Sequence, residues 1–225
     1  MERIINVAID GPAGAGKSTM ARRLAEQLHF VYVDTGAIYR TVGYFTYLNG
    51  IDPTDAQSVA RLLPSLALQL DWLDGVQHVF LDGRDVTDSI RTPEMSHYAS
   101  CVAALPAVRE FLLETQREIA RHRSVVMDGR DIGTVVLPDA QVKIFLTASP
   151  EVRARRRLLE LQAKGGSQSF DEVLSEMKQR DARDSQRETA PLRKADDAVL
   201  LDTSDLTPEQ SVAAMRKIVQ EKLAL

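Results

Sequence analysis

Gly11-Pro12-Ala13-Gly14-Ala15-Gly16-Lys17-Ser18 is the densest piece of chemistry in this 225-residue chain. Its fixed positions follow G-x-x-x-x-G-K-[ST], the pattern of a phosphate-binding loop. Glycines let successive backbone N–H groups turn inward onto phosphate oxygens. A helix beginning near Lys17 aims its positive end at the same place. Gly11 to Thr19 is therefore the expected ATP-binding stretch, with Lys17 on the β- and γ-phosphates and the Ser18 hydroxyl on Mg²⁺.

A second set of chemical residues lies far along the chain. Asp128 ends an apolar run, Ser124 to Met127, and is placed to hold Mg²⁺ with Ser18, as a carboxylate at a strand end does beside a phosphate loop. Asp128-Gly129-Arg130-Asp131 is a polar cluster in which the planar fork of Arg130 can clamp a phosphate. The same tetrapeptide occurs earlier as Asp82-Gly83-Arg84-Asp85, between candidate strands, where it reads as a turn. Arginines then crowd the chain at Arg153, Arg155, Arg156, Arg157, Arg180, Arg183 and Arg187. Arg153, Arg156 and Arg157 fall on one helix face by i, i+3 and i+4 spacing. Flanking the Gly165-Gly166 break, these arginines predict a mobile lid closing over polyphosphate. Arg153, Arg156 and Arg157, with Lys17 and Asp128, are the catalytic candidates, because guanidinium groups complement a transferring phosphoryl group.

Absences sharpen the chemistry. No Asn-Lys-x-Asp and no Asp-x-x-Gly occur, which argues against a guanine-reading switch protein. A hydroxyl acceptor needs a base to take its proton. A phosphate monoester, with a second pKa near ~6, is already largely dianionic at neutral pH and needs positioning and neutralisation instead. An arginine-rich chain without a histidine base points to the phosphate acceptor. A kinase for a hydroxyl acceptor, and an ATP-binding module without catalysis, stay open at this point.

The elements that must position these residues are legible in the apolar pattern. Arg3 to Asp10 and Phe30 to Asp34 read as buried strands, with Met20, Leu24, Ala25 and Leu28 on one face of the helix between them. Thr35-Gly36 is expected to break the second strand before a helix over 37–48, whose Ile38, Val42, Phe45 and Leu48 form one face. Residues 51–91 change character: a short helix to about Leu63, then period-two alternation from Leu66 to Trp72. Asp74-Gly75 gives a hairpin signal, Val76 to Leu81 a further strand, and Arg84 to Thr87 a third. Helices follow from Pro93 and from Pro106, the latter with Val108, Phe111, Leu112, Thr115 and Ile119 on one side. Later strands are 142–146 and 198–202. Helices start at Pro150, at the Ser169/Glu172 capping box (to about Arg183) and at Thr207. The expectation is an α/β fold of the P-loop NTPase type: a five-stranded parallel sheet flanked by helices, with a small antiparallel β insert and a helical lid. Asp10, Asp34 and Asp128 then stand at strand ends, where ligands of such sheets bind.

The totals set bounds. With 44% hydrophobic and 27% charged residues, this length makes one good globular core. A net charge of −4 gives no reason to expect nucleic acid or an anionic membrane. One cysteine, Cys101, allows no internal disulfide, and four scattered histidines argue against a protein-built zinc site. Without a secretory leader or an apolar membrane span, the cytoplasm is the expected location; a monomer is expected, although the sequence pattern does not itself set the oligomeric state.

Five strings in order resemble the bacterial cytidylate kinases: the loop at 11–18, Asp34-Thr35-Gly36-Ala37-Ile38-Tyr39-Arg40, Ile90-Arg91-Thr92-Pro93-Glu94, Asp128-Gly129-Arg130-Asp131-Ile132-Gly133-Thr134 and Arg180-Asp181-Ala182-Arg183-Asp184. The resemblance spans nearly the whole chain. It implies γ-phosphoryl transfer from ATP to CMP or dCMP with Mg²⁺, within one domain over 1–225. Residues 40–95 would be a monophosphate-binding insert and 150–187 the lid. It further implies Thr35, Arg40, Arg130 and Arg187 around the acceptor phosphate, Ser100, Arg109 and Asp131 on cytosine, and Arg180 and Asp184 on the sugar. Cytosine offers an amino donor to a carboxylate and acceptors to Arg and Ser; uracil replaces that donor by an acceptor.

Overall fold

The computed structural model describes residues 3–163 and 165–224. In chain order the elements are β1 (Asn6–Asp10), α1 (Lys17–Leu28), β2 (Val31–Asp34), α2 (Thr35–Leu48), α3 (Ala56–Leu62), β3 (Leu68–Leu73), β4 (Val76–Leu81) and β5 (Arg84–Asp85). Then come α4 (Pro93–Val102), α5 (Pro106–His122), β6 (Val125–Gly129), β7 (Val142–Thr147), α6 (Pro150–Ala163), α7 (Phe170–Gln186), β8 (Val199–Asp202) and α8 (Pro208–Leu223).

The four strands β1, β2, β6 and β7 bury both faces, as a parallel sheet covered by helices requires, while the edge strand β8 leaves Leu200 exposed. These five pair in the order β2-β6-β1-β7-β8, every pair parallel. Alternation along β1 sends Val7 and Ile9 to one side, against Met20 and Leu24 of α1 and Met215 and Val219 of α8. Ala8 faces the other way, with Val125 and Met127 of β6, Ala120 of α5, Ile132 and Val136. All five strands thus end at one edge, and β1, which feeds the phosphate loop, lies at the centre of it.

The insert is a separate antiparallel sheet, β3-β4-β5. Asp74 and Gly75 both take positive φ, 52° and 76°, giving the tight hairpin that pairs Leu73 with Val76. Val59, Leu63, Val79, Leu81 and Ile90 share a core with Ile38 and Val42 of α2, Val102 of α4 and Val108 and Leu112 of α5. The hairpin also docks on the exposed edge of β2. Gln77 accepts from Asp34 N at 2.8 Å and donates to Asp34 O at 3.3 Å, and Trp72 Nε1 donates to Tyr32 O at 2.9 Å. Side chains stand in for a missing sixth strand. A fourth cluster joins α6 to α7 through Ala154, Leu161, Val173 and Met177.

The structure departs from the sequence reading in several places. Thr35-Gly36 is no break: α2 starts at Thr35, because the Asp34 carboxylate caps it by accepting from Ala37 N at 2.9 Å. Leu48 leaves the expected apolar face of α2 and is 56% exposed. The third insert strand covers only Arg84–Asp85, since Thr87 meets Val79 N through its hydroxyl at 2.9 Å. On α5 the buried stripe is Val108, Leu112, Gln116 and Ala120, and Phe111 is 38% exposed. The stripe shifts because Arg109 and Gln116 are drawn inward. Gly165-Gly166 is a capped turn, with Gly165 at φ 82°, Gly165 N bonding Gln162 O and Gly166 N bonding Leu161 O. A π-helical turn at Ile132–Val136 has no counterpart in the reading.

Candidate active site

The loop between β1 and α1 is built as the motif demands. Gly14 and Gly16 take φ of 70° and 85°, a region that glycine enters without strain. A Cβ at Gly11 would run into the carbonyl of Leu146 on β7. Gly16 caps α1 with no side chain, so the first N–H groups of that helix await an external acceptor. Lys17 is only 5% exposed, and its Nζ donates to Pro12 O at 2.8 Å. Burial, reinforced by the Arg130 charge and opposed by Asp128, holds its ammonium well below the usual lysine range. A buried cation disfavoured in this way gains most from an anion beside it.

Asp128 stands one strand over, near the end of β6. It accepts from Ser18 Oγ at 3.0 Å and from Tyr32 OH at 2.9 Å, while its backbone carbonyl accepts from Thr35 Oγ1 at 2.7 Å. Burial, with the neighbouring Asp34 charge, pushes its carboxyl up to about 6 against the pull of Lys17 and the two hydroxyls. Ser18 and Asp128 offer a hydroxyl and a carboxylate side by side, the hard-oxygen chemistry that suits Mg²⁺. Among the described residues no group of three or more His, Cys, Asp or Glu gathers to hold a metal. Magnesium characteristically keeps waters and substrate phosphates as its other ligands, so two protein donors fit it.

Around this centre the expected acceptor residues converge. Asp34 Oδ2 binds Arg40 Nη2 at 2.9 Å, and Arg91 Nη2 approaches the same oxygen at 3.9 Å. Arg130 Nε meets Asp184 Oδ2 of α7 at 2.9 Å. Arg180 lies one turn back on α7; burial, with the charge of Arg130, lowers its pKa to about 10, and its Nε has no partner. The flanking arginines Arg130 and Arg180 keep the Asp184 carboxyl low despite its burial. Asp131 binds Arg109 Nη2 through one oxygen and Arg187 Nη2 at 3.4 Å through the other. Tyr39 packs its ring under the Arg109 guanidinium at 5.5 Å, and burial pushes its phenol up to about 12. Ser100 is buried and accepts from Arg183 Nη1 at 3.2 Å.

The three arginines expected together on α6 separate. Arg153 is 4% exposed and braces the loop: Nη1 donates to Ala13 O at 3.0 Å, Nε to Ala148 O at 2.9 Å, and Nη2 pairs with Asp181 at 2.7 Å. Arg156 turns toward the end of β8, where Thr203 O accepts at 2.7 Å. Arg157 pairs with Glu160 at 3.2 Å. Thr19 is exposed in the first turn of α1, whereas Ala15 is fully buried beneath the loop. Sequence reasoning missed Tyr32, Arg91 and Asp181, and it named Arg183 only among the lid arginines, not beside Ser100. Arg91 and Asp181 lie inside strings already singled out, which was the available signal; Tyr32 gave none beyond its place in a strand.

Comparison with known proteins agrees with this geometry. A family model described as cytidylate kinase matches residues 7–221. A curated cytidylate kinase from Caldicellulosiruptor bescii is 52% identical over 206 residues, covering 92% of this chain and 91% of that protein. One from Carboxydothermus hydrogenoformans is 51% identical over 218 residues, 97% of this chain and 98% of that protein. Among solved structures, a shikimate kinase from Bacteroides thetaiotaomicron aligns with TM-score 0.50 at 14% identity, covering 99% of this chain and 100% of that one. That likeness shows a shared fold alone. The match of family model and relatives over nearly the whole length, on a chain whose phosphate loop and arginine–carboxylate pairs meet at one sheet edge, places it in the cytidylate kinase family.

Proposed function

We propose that this chain carries out the family's reaction, transfer of the γ-phosphoryl group of ATP to CMP or dCMP, with the residues gathered at the carboxyl edge of the parallel sheet. The observation that carries the residue assignment is the junction of the loop with β6 and α7: Ser18 reaches Asp128 at 3.0 Å, and Arg130 reaches Asp184 at 2.9 Å. Gly11 to Thr19 hold the donor phosphates and Lys17 neutralises the transferring group. Thr35, Arg40, Arg130 and Arg187 hold the acceptor phosphate. Arg91, beside Arg40 on Asp34, joins them. Ser100, Arg109 and Asp131 face cytosine, and Arg180 and Asp184 the sugar.

A phosphate oxygen of the acceptor forms the new bond to Pγ, the bond from Pγ to the bridging oxygen breaks, and ADP leaves with that electron pair. The acceptor is dianionic, so no side chain need take a proton. What the chain supplies is alignment and positive charge. Ser18 and Asp128 would hold Mg²⁺, which when bound neutralises charge on the donor phosphates. The insert over 40–95 and the lid over 150–187 are read as the acceptor clamp and the cover, the insert supported by a core it shares with α2, α4 and α5 and the lid by a cluster of its own.

The test follows ADP release with CMP, dCMP, UMP, AMP, GMP and a sugar alcohol. CMP and dCMP are expected to dominate. Equal or faster turnover of AMP, GMP or the alcohol overturns the acceptor assignment, and tight ATP binding with no acceptor-dependent ADP overturns catalysis itself.

A further inference from the structure

Asp131 sits at the mouth of a turn whose winding requires a cause. Ile132–Val136 is π-helical: Leu137 N bonds Ile132 O at 2.7 Å, and the Asp131 carbonyl accepts from both Val135 N at 2.9 Å and Val136 N at 3.2 Å. Such turns are rare and concentrate at functional sites, because the wider winding is disfavoured unless held. Two side chains hold this one, from opposite ends. Asp10, the last residue of β1, accepts from Ile132 N through Oδ1 and from Gly133 N through Oδ2, both at 2.7 Å. Arg117 of α5 donates from Nε to Val136 O at 3.1 Å and from Nη2 to Val135 O at 3.0 Å.

The seat is close-fitting. A Cβ on Gly133 would come within 3.4 Å of Asp10 Oδ2 and 3.2 Å of Lys143 Cδ. Arg117 follows Arg109 by eight residues, about 12 Å along the same helix. That helix therefore grips the Asp131 carboxylate with one arginine and the far end of its turn with another. Asp10 ties the near end to the strand that feeds the phosphate loop.

We propose that Asp10 and Arg117 are positioning residues for base selection: they clamp the π turn at both ends and so fix where the Asp131 carboxylate meets the base. The proposal rests on the reading of Asp131 as the acceptor for the cytosine amino group. Letting the turn relax toward α-helical winding removes one residue from it, and Asp131 stands at its start. A displacement on the order of 1 Å follows, enough to cost about tenfold in a geometry-dependent discrimination.

The experiment measures kcat/KM for CMP and for UMP in the full-length enzyme, with KM for ATP alongside. R117M keeps the length of the stem and removes both carbonyl donors. The expected result is a CMP-to-UMP ratio lowered about tenfold, an ATP KM within about twofold of the parent, and partial recovery in R117K, which restores a single donor nitrogen in place of the two that Arg117 uses. D131N is the reference for the base reading itself. If D131N collapses the ratio and R117M leaves it within about twofold, the clamp is wrong and the base reading stands. If D131N leaves the ratio unchanged, the base reading falls and the clamp loses its purpose. Should R117M not fold, D10N replaces it: an amide offers one acceptor oxygen where two N–H groups need partners, so the ratio must fall there too, and an unchanged ratio in D10N overturns the proposal.

Discussion

Gln77 is a polar side chain, 5% exposed, used where a strand would otherwise be. Its amide joins β4 of the insert to the backbone of Asp34 at the edge of β2, at 2.8 Å from the backbone N–H and 3.3 Å to the carbonyl. Gln77→Leu keeps the bulk and removes both bonds. The carbonyl can do without this weaker contact, but the buried Asp34 N–H is left unpaired, which costs about 1–3 kcal/mol. Loss of the shorter bond adds about 1 kcal/mol, and the extra apolar burial of leucine returns part of it. The expected net loss is about 2 kcal/mol, or about 4–8 °C in Tm for a chain of this size. Urea and thermal melts of the unliganded protein measure it. Gln69→Leu, at an exposed position of β3, is the control and should stay within about 0.5 kcal/mol. Because Asp34 also caps α2 and holds Arg40, KM for CMP should rise more than KM for ATP. A Gln77→Leu loss no larger than the Gln69→Leu control would refute the idea that this amide completes the sheet edge.

Other outcomes follow from the same geometry. Lys17→Met should lower kcat by about 10²–10³ or more while leaving the empty protein no less stable, because burial already disfavours the Lys17 charge; activity assays and melts check both. Arg153→Met strands Asp181, one of whose oxygens already lacks a partner, and frees the Ala13 carbonyl. It should cost about 3 kcal/mol in urea unfolding and raise KM for ATP more than for CMP. For pH, the Asp128 carboxyl is raised by burial to about 6 from 3.8, so over that interval the folded chain binds the proton that the unfolded chain releases. Its contribution to stability is present below about 4 and is lost as pH rises through about 6. Asp128→Asn should accordingly gain stability relative to the parent at pH 7, with the gain shrinking toward pH 4, as read from urea midpoints.

What could be read from the sequence was whatever local chemistry decides. The glycine loop, the aspartate hairpin turns, the capping boxes and the strands that carry Asp10, Asp34 and Asp128 at or next to their ends each follow from a few neighbouring residues. What escaped depends on partners distant along the chain. The π turn is set by Asp10, 122 residues before Ile132, and by Arg117. The buried face of α5 was misjudged because Arg109 and Gln116 count as polar in any periodicity, yet Asp131 and the core take them inside. Thr35-Gly36 looked like a break since nothing in the pattern says that Asp34 is both the last strand residue and the helix cap. At the site, the motif strings located the arginines and carboxylates, but spacing alone put Arg153, Arg156 and Arg157 on one task. Their distribution among loop, β8 end and helix surface depends on what each guanidinium meets in space.

The carboxylates of the crevice hold its arginines in place without neutralising them. Arg40 and Arg91 share Asp34, Arg109 and Arg187 share Asp131, and Arg130 pairs with Asp184, while Lys17 lies bonded to a carbonyl. Asp34 and Asp131 each hold two arginines, and Arg180 is left without a salt bridge among the described residues, so positive charge is left over in a buried place. Arg180 shows the consequence most plainly, with its charge disfavoured by burial and by Arg130 and its Nε unpaired. A buried cation without an ion-pair partner carries a desolvation penalty of several kcal/mol, which an apolar residue of similar length does not carry. Arg180→Met should therefore melt higher than the parent when empty, by about 1 kcal/mol or more. The ligand reverses the order: CMP at 100 times its Kd stabilises the parent by about 2.7 kcal/mol. The same concentration should add far less to the variant, which has lost a contact. Melts with and without CMP give all four values. A variant that is less stable when empty, or that gains as much from CMP as the parent does, would show that the surplus charge is not what the crevice holds in readiness for its anionic substrates.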